Sequence, residues 1–452
     1  MLRSRLLAAV CAVLVAAPAW AQEPPPQAAV QAPPNVPEAV AVAPLAAPDF
    51  FSAAGRDTGL GADLWRGTSP ALVRAVLPLL SSRPLSPAAR ALARRVLATG
   101  AALGEDAGRD PVLAGRRISA LIAQGGVREA SEILSKTSGL DRDPVLAQAA
   151  VEAALLSDDF DRACAVGDSL STGRDEPYWL RLRAYCQLRR GDAGPAQLTF
   201  DLAQDQARDG VYGRLMGVRL AGSGDPGKAS LRNGLDYALS RDLGLDLAQA
   251  APSPAVAAAL NPGGPVEATW PMPAAPGAVR ATLVALASGD LATARTLRAS
   301  LVQADFEAAG AFDMAMLDAA LAAASGRDLG PALDALVVRG DAAEPRTRAR
   351  AQAAAVLLAA LGAPLADAAQ APFAAFSVGD ARAPAARALL LDIAAADRRT
   401  GETALLALWI AADAGAAGPA AADRARIVRA LRAAGLETDA RAFALEGLLA
   451  LR

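Results

Sequence analysis

Residues 143–163 read DPVLAQAAVEAALLSDDFDRA. Asp143 followed by Pro144 is a helix-start signal. The carboxylate can accept from the first unpaired amides, and proline in the first helical position has no amide to leave unpaired. An apolar run follows, broken at Ser157-Asp158-Asp159. A second helical pattern then starts at Phe160, with Ala163 small enough to let two helices approach closely. The stretch predicts two helices folded back on each other.

The same pattern returns on a fixed beat. Asp110-Pro111-Val112-Leu113, Asp143-Pro144-Val145-Leu146, Glu176-Pro177-Tyr178-Trp179 and Asp209-Gly210-Val211-Tyr212 stand 33 residues apart. The turns keep the same 33-residue step: Gly125-Gly126 before Ala130, Asp158-Asp159 before Ala163, Gly191-Asp192 before Ala196, and Gly224-Asp225 before Ala229. Upstream, Ser69-Pro70 and Ser86-Pro87 open two more helical patterns, each serine placed to cap. Further on, turns at Gly289-Asp290, Gly326-Arg327, Gly362-Ala363, Thr400-Gly401 and Gly435-Leu436 give looser steps of 37, 36, 39 and 34. The last hairpin, in 426–452, is placed to close the stack. Repeated units of this kind bury their apolar sides only against neighbours, so the sequence predicts an all-α fold, an α-solenoid of antiparallel helical hairpins.

Composition agrees. Hydrophobic residues make up 53% of the chain but aromatic residues only 4%, so the core must be alanine, leucine and valine. Alanine has the highest helix propensity, and almost no segment alternates as a half-buried strand does.

With its Gly-Asp turn followed by a small residue, the region 110–240 resembles the tetratricopeptide-repeat superfamily. The Trp, Gly, Tyr and Phe positions usual within that family's hairpin are mostly not filled. The resemblance implies binding of a peptide or protein along a concave surface of first helices. On that surface Gln148, Glu152, Arg181, Tyr185 and Arg214 are the candidate contacts. The residues from LWRGTSP (64–70) to AYCQLRRGD (184–192) also resemble secreted repeat proteins of Gram-negative bacteria.

The N-terminus reads as an export signal. Arg3 and Arg5 precede a short apolar core from Leu6 to Ala17, and Ala19-Trp20-Ala21 supplies small residues for cleavage before Gln22. Cys11 lies within that apolar core and makes a poor acylation site. Residues 22–49 form a proline-rich linker, with eight prolines between Glu23 and Asp49. Helical-repeat domains are expected at 50–249 and 278–452, with a proline-rich break or hinge at 250–277. No later stretch reaches the roughly 18 apolar residues of a membrane span. The expected location is the periplasm, with no integral membrane segment after cleavage.

Two cysteines remain in the mature chain. Cys164 falls in the second helix of one hairpin and Cys186 in the first helix of the next, at about equal height above the connection between them. An oxidising compartment would join facing thiols. The alternative is two separate buried thiols serving as small apolar residues.

Net charge falls from -2 to -4 once the two signal arginines are removed, which gives no electrostatic case for nucleic acid. The chain has no histidine, so it lacks the usual general base and the commonest metal ligand. Two cysteines without histidine do not complete a tetrahedral metal site. Gly167-Asp168-Ser169-Leu170 spells a serine-esterase motif but falls within a repeat helix. Gly222–Ala229 nearly spells a phosphate-binding loop, yet no strand precedes it and Ala229 lacks the hydroxyl. Asp158, Asp159 and Asp161 suit helix capping better than calcium. Tyr178, Trp179 and Tyr185 suit the seam between repeats better than a ligand site. The expectation is a non-catalytic scaffold or adaptor without cofactor or metal, whose partner is an envelope protein or peptide. The rival is an envelope enzyme binding or cleaving glycan with carboxylates alone.

Overall fold

Helices begin where proline follows a polar residue. Pro70, Pro87, Pro111, Pro144, Pro177, Pro254 and Pro345 each occupy the first turn of a helix. The aspartates cap as expected: Asp110 accepts from the amides of Val112 and Leu113, Asp143 from Leu146, and Asp209 from Val211 and Tyr212. Each such cap contributes about 1 kcal/mol.

The computed structural model describes residues 49–451 except 105, 262–269, 274, 276, 310–312 and 343. The signal peptide expected at 1–21 and all but the last residue of the 22–49 linker lie outside the described residues. Those described belong to the unit Ala47–Arg452. Among them are 21 α-helices and no strand. The first eleven are α1 (Pro70–Ser82), α2 (Pro87–Ala98), α3 (Pro111–Ala123), α4 (Val127–Ser135), α5 (Pro144–Leu156), α6 (Phe160–Ser169), α7 (Pro177–Arg189), α8 (Ala193–Gln206), α9 (Gly210–Ala221), α10 (Gly234–Asp242) and α11 (Pro254–Leu260). Then come α12 (Gly277–Ser288), α13 (Leu291–Ser300), α14 (Met314–Ser325), α15 (Leu329–Arg339), α16 (Pro345–Ala360), α17 (Asp367–Ala374), α18 (Ala385–Ala396), α19 (Thr400–Ala414), α20 (Ala421–Ala433) and α21 (Glu437–Ala450).

Consecutive helices joined by short turns pack together, as α5 with α6, α7 with α8, α12 with α13, α18 with α19 and α20 with α21. The turns need left-handed backbone. Gly125 and Gly191 both sit at φ 89°, where only glycine is free of strain. Asp158 (φ 61°) and Arg398 (φ 53°) fill equivalent turns at a cost that glycine would not incur.

Four expectations need correction. The 33-residue beat fails at its fourth turn: no helix starts at Asp225, and the chain runs without helix from Gly222 to Asn233. Gly224 and Gly227 lie at φ 122° and 62° with Pro226 between them, a combination that cannot continue a helix. Second, the turn expected at Thr400-Gly401 lies one step earlier, at 397–399, and Thr400 already begins α19. Third, the last hairpin does not cap an open end. Helix α21 packs against α2 and α14, and α19 packs against α1 and α2, so the C-terminal helices lie between the first pair and α14–α16.

Fourth, Ser69 and Ser86 do not cap their helices with their side chains. Carboxylates more than 300 residues away do so instead. Glu402 on α19 accepts from the Ser69 amide at 3.0 Å, and Glu446 on α21 accepts from the Ala88 amide at 2.6 Å. Glu446 also pairs with Arg424, both side chains being buried. A second buried cation, Arg117, donates to the carbonyls of Phe50, Ala53, Leu97 and Thr99, tying the segment after Asp49 to the end of α2. Burial lowers its pKa to about 10.

Candidate functional site

The residues expected along the concave surface lie on α5, α7 and α9. Helices α1, α3 and α5 are side by side, but the face they would offer is covered by the chain itself. Helix α10 packs on α5 and α11 packs on α3. Leu235, Ala238 and Leu239 of α10 join Val151, Leu155, Tyr185, Tyr212 and Met216 in one apolar cluster.

Polar groups hold this returning segment down. Glu152 accepts from the Gly234 amide at 2.6 Å and from the Tyr178 hydroxyl at 2.8 Å, so it caps α10 from across the interface. Burial pushes its carboxyl above the usual glutamate range and nearby Asp236 adds to that, while the two hydrogen bonds oppose it. At the other end of α10, Arg241 pairs with Asp158.

Of the other candidates, Arg181 donates to Ala207 O at 2.8 Å, stands 3.4 Å from Asp209 and lies over the Tyr212 ring at 5.6 Å. Arg214 donates to Lys228 O at 2.8 Å. Tyr185 and Trp179 are buried, and Gln148 alone of the five candidates is exposed. The structure thus places Glu152, Arg181, Tyr185 and Arg214 in contacts that join the chain to itself.

Cys164 and Cys186 form a disulfide with Cα atoms 5.6 Å apart, stapling α6 to α7. Gly167–Ser169 lies in α6, where the Ser169 hydroxyl donates to Val166 O and Asp168 pairs with Arg190. Asp159 accepts from the Arg162 amide as a helix cap. Among the described residues, no group of histidine, cysteine or carboxylate side chains could hold a metal ion, and no helix is long and apolar enough to cross a membrane.

Exposure of large apolar side chains is concentrated elsewhere. On α18, Leu389, Leu390 and Ile393 are 59%, 49% and 42% exposed. With exposed Ala386 they stand at i, i+3, i+4 and i+7, one stripe of the helix. Its opposite face, Ala388, Leu391, Ala394 and Ala395, is buried against α19 and α20. On α8, Leu198 and Leu202 are 73% and 54% exposed, one turn apart. Sequence periodicity did not single out the α18 positions, because that helix, AARALLLDIAAA, is apolar on nearly every side and gives no sign of which face stays uncovered.

Comparison with known protein families, with curated proteins and with solved structures finds no match to this chain.

Proposed function

We propose that this chain is an exported, non-catalytic helical-repeat scaffold, built of tetratricopeptide-like hairpins in its N-terminal half and closed on itself by its C-terminal helices, which docks an envelope protein through uncovered apolar helix faces. The observation that carries the reading is the stripe on α18. Contiguous exposed leucine and isoleucine opposite a fully packed face is how a helix presents itself to a protein partner. The signal-like N-terminus and the disulfide support an oxidising, extracytoplasmic location.

The rival glycan-cleaving reading needs an acid with raised pKa facing a cavity. The carboxyls raised by burial, Glu152 and Asp439, sit between packed helices, bound to Gly234 and Tyr178 in one case and to Arg95 in the other. In the cavity of about 660 Å³ beside α14 and α15, Asp313 and Asp318 are engaged in ion pairs with Arg339 and Arg298.

The test compares the wild-type chain with Leu389→Asp/Ile393→Asp by crosslinking in the envelope. The double variant keeps the buried face of α18 and should fold with an unchanged melting midpoint. The reading predicts a defined partner protein crosslinked to wild type and lost in the variant. Equal crosslinking of both chains, or release of glycan fragments by the purified protein, overturns it.

A further inference from the structure

A cavity of about 610 Å³ lies between α2, the end of α3 and α11. That is within the range of sites for small organic molecules. Three guanidinium groups line it, Arg83, Arg90 and Arg94, and no carboxylate does among the described residues. Two of these cations pair with carboxylates outside the cavity, Arg83 with Asp413, which Arg387 also engages, and Arg94 with Glu129 at 2.8 Å, which Arg56 also approaches. Among the described residues, Arg90 has no carboxylate partner. Its one hydrogen bond is a long one, 3.4 Å, to Leu85 O. Among the described residues, the guanidinium groups of this cavity therefore outnumber the carboxylates that answer them, and Arg90 is the one left without such a partner.

The cavity's remaining walls are mostly apolar, with the amides of Gln124 and Asn261 among them. Pro252 and Pro254 come from the returning segment, whose Ser253 amide donates to Leu231 O at 2.8 Å, and Trp270 closes the same side. Arg90 and Arg94 are one turn apart on α2 and share a face. A guanidinium fork matches a carboxylate through two parallel hydrogen bonds, and an indole with flanking prolines accommodates a flat or ring-shaped body.

We propose that this cavity binds a small organic monoanion, a carboxylate carried on an apolar ring, with Arg90 holding the charge and Trp270 packing the ring. The inference stands on the cavity alone and does not depend on the α18 docking surface, which contributes no residue to it.

Phenylacetate is the probe, and phenylacetamide, with the same shape and no charge, is its control. Calorimetric titration of the mature chain should show saturable one-to-one binding of phenylacetate, with the amide at least about tenfold weaker. Arg90→Gln should weaken phenylacetate by a similar factor without moving the melting midpoint, since Arg90 makes only one long hydrogen bond. Trp270→Ala should weaken acid and amide alike. If Arg90→Gln fails to fold, the acid–amide comparison on the wild-type chain decides. No binding of phenylacetate, equal binding of acid and amide, or unchanged binding by a folded Arg90→Gln variant each overturns the proposal.

Discussion

Replacing Glu446 by leucine removes two interactions at once. The carboxylate accepts from Arg424 through one oxygen and from the Ala88 amide through the other, and Arg424 has the Phe443 carbonyl as its further partner. Glu446→Leu strands a guanidinium that water cannot reach, which costs about 3–5 kcal/mol. It also removes the cap of α2, about 1 kcal/mol more. The expected loss is about 4–6 kcal/mol, a large part of the stability of an ordinary domain. Arg424→Met strands the carboxylate in turn, though Ala88 still donates to it, so its loss should be nearer 3 kcal/mol. The double variant strands no charge and should lose little beyond the cap, about 1–2 kcal/mol. Urea unfolding of all four chains, followed by far-ultraviolet circular dichroism, closes the cycle. The reasoning predicts a coupling of about 5–8 kcal/mol, with the double variant more stable than Glu446→Leu alone. Losses that simply add, or a Glu446→Leu cost under about 1 kcal/mol, would refute the claim that this pair is a buried junction between the two ends of the chain.

Other outcomes are expected. Protein prepared without reductant should take up no alkylating label, and Cys164→Ser/Cys186→Ser should lose about 3 kcal/mol, the loop-closure value for a separation of 22 residues. Arg398→Gly should raise stability by about 1 kcal/mol, because it relieves the left-handed strain at φ 53°; a loss would show that the turn is not strained there. Glu152 titrates above its ordinary value of 4.5 in the folded chain, so the proton is held more tightly folded than unfolded. Its stabilising contribution is complete below that value and is lost as pH rises through the folded pKa. The stability advantage of wild type over Glu152→Gln should therefore shrink as pH rises above about 4.5 in urea melts, and a constant or growing advantage would contradict the burial of Glu152.

Local structure was well signalled in the sequence. Aspartate-proline starts, glycine turns and the facing heights of Cys164 and Cys186 depend on residues close in the chain, and these act through short-range geometry. The departures arise where distant segments compete. Gly224 kept the repeat beat, but Pro226 and Gly227 prevented a helix there, and the freed segment returned to cover α5. Ser69 and Ser86 looked like caps, yet Glu402 takes the amide of Ser69 itself and Glu446 the Ala88 amide that Ser86 would have capped, both from more than 300 residues away, a pairing that no periodicity announces. Arg117 in an apolar pattern gave no sign of four carbonyls waiting for it. Among the candidate groove residues, residue type was read correctly as polar or aromatic. What covers them depends on where residues 230–260 pack, which is a tertiary matter.

The central claim is that the C-terminal helices complete the first helical pair. Spin labels at Ser82 and Ala414, both exposed and flanking the Arg83–Asp413 ion pair, test it by a pulsed dipolar distance on the mature chain. A single short distance, set mainly by the label linkers, is predicted. A stack laid out in chain order would separate those positions by about nine helical layers of 8–10 Å, on the order of 80 Å; a distance in that range, or no dipolar signal, would contradict the account.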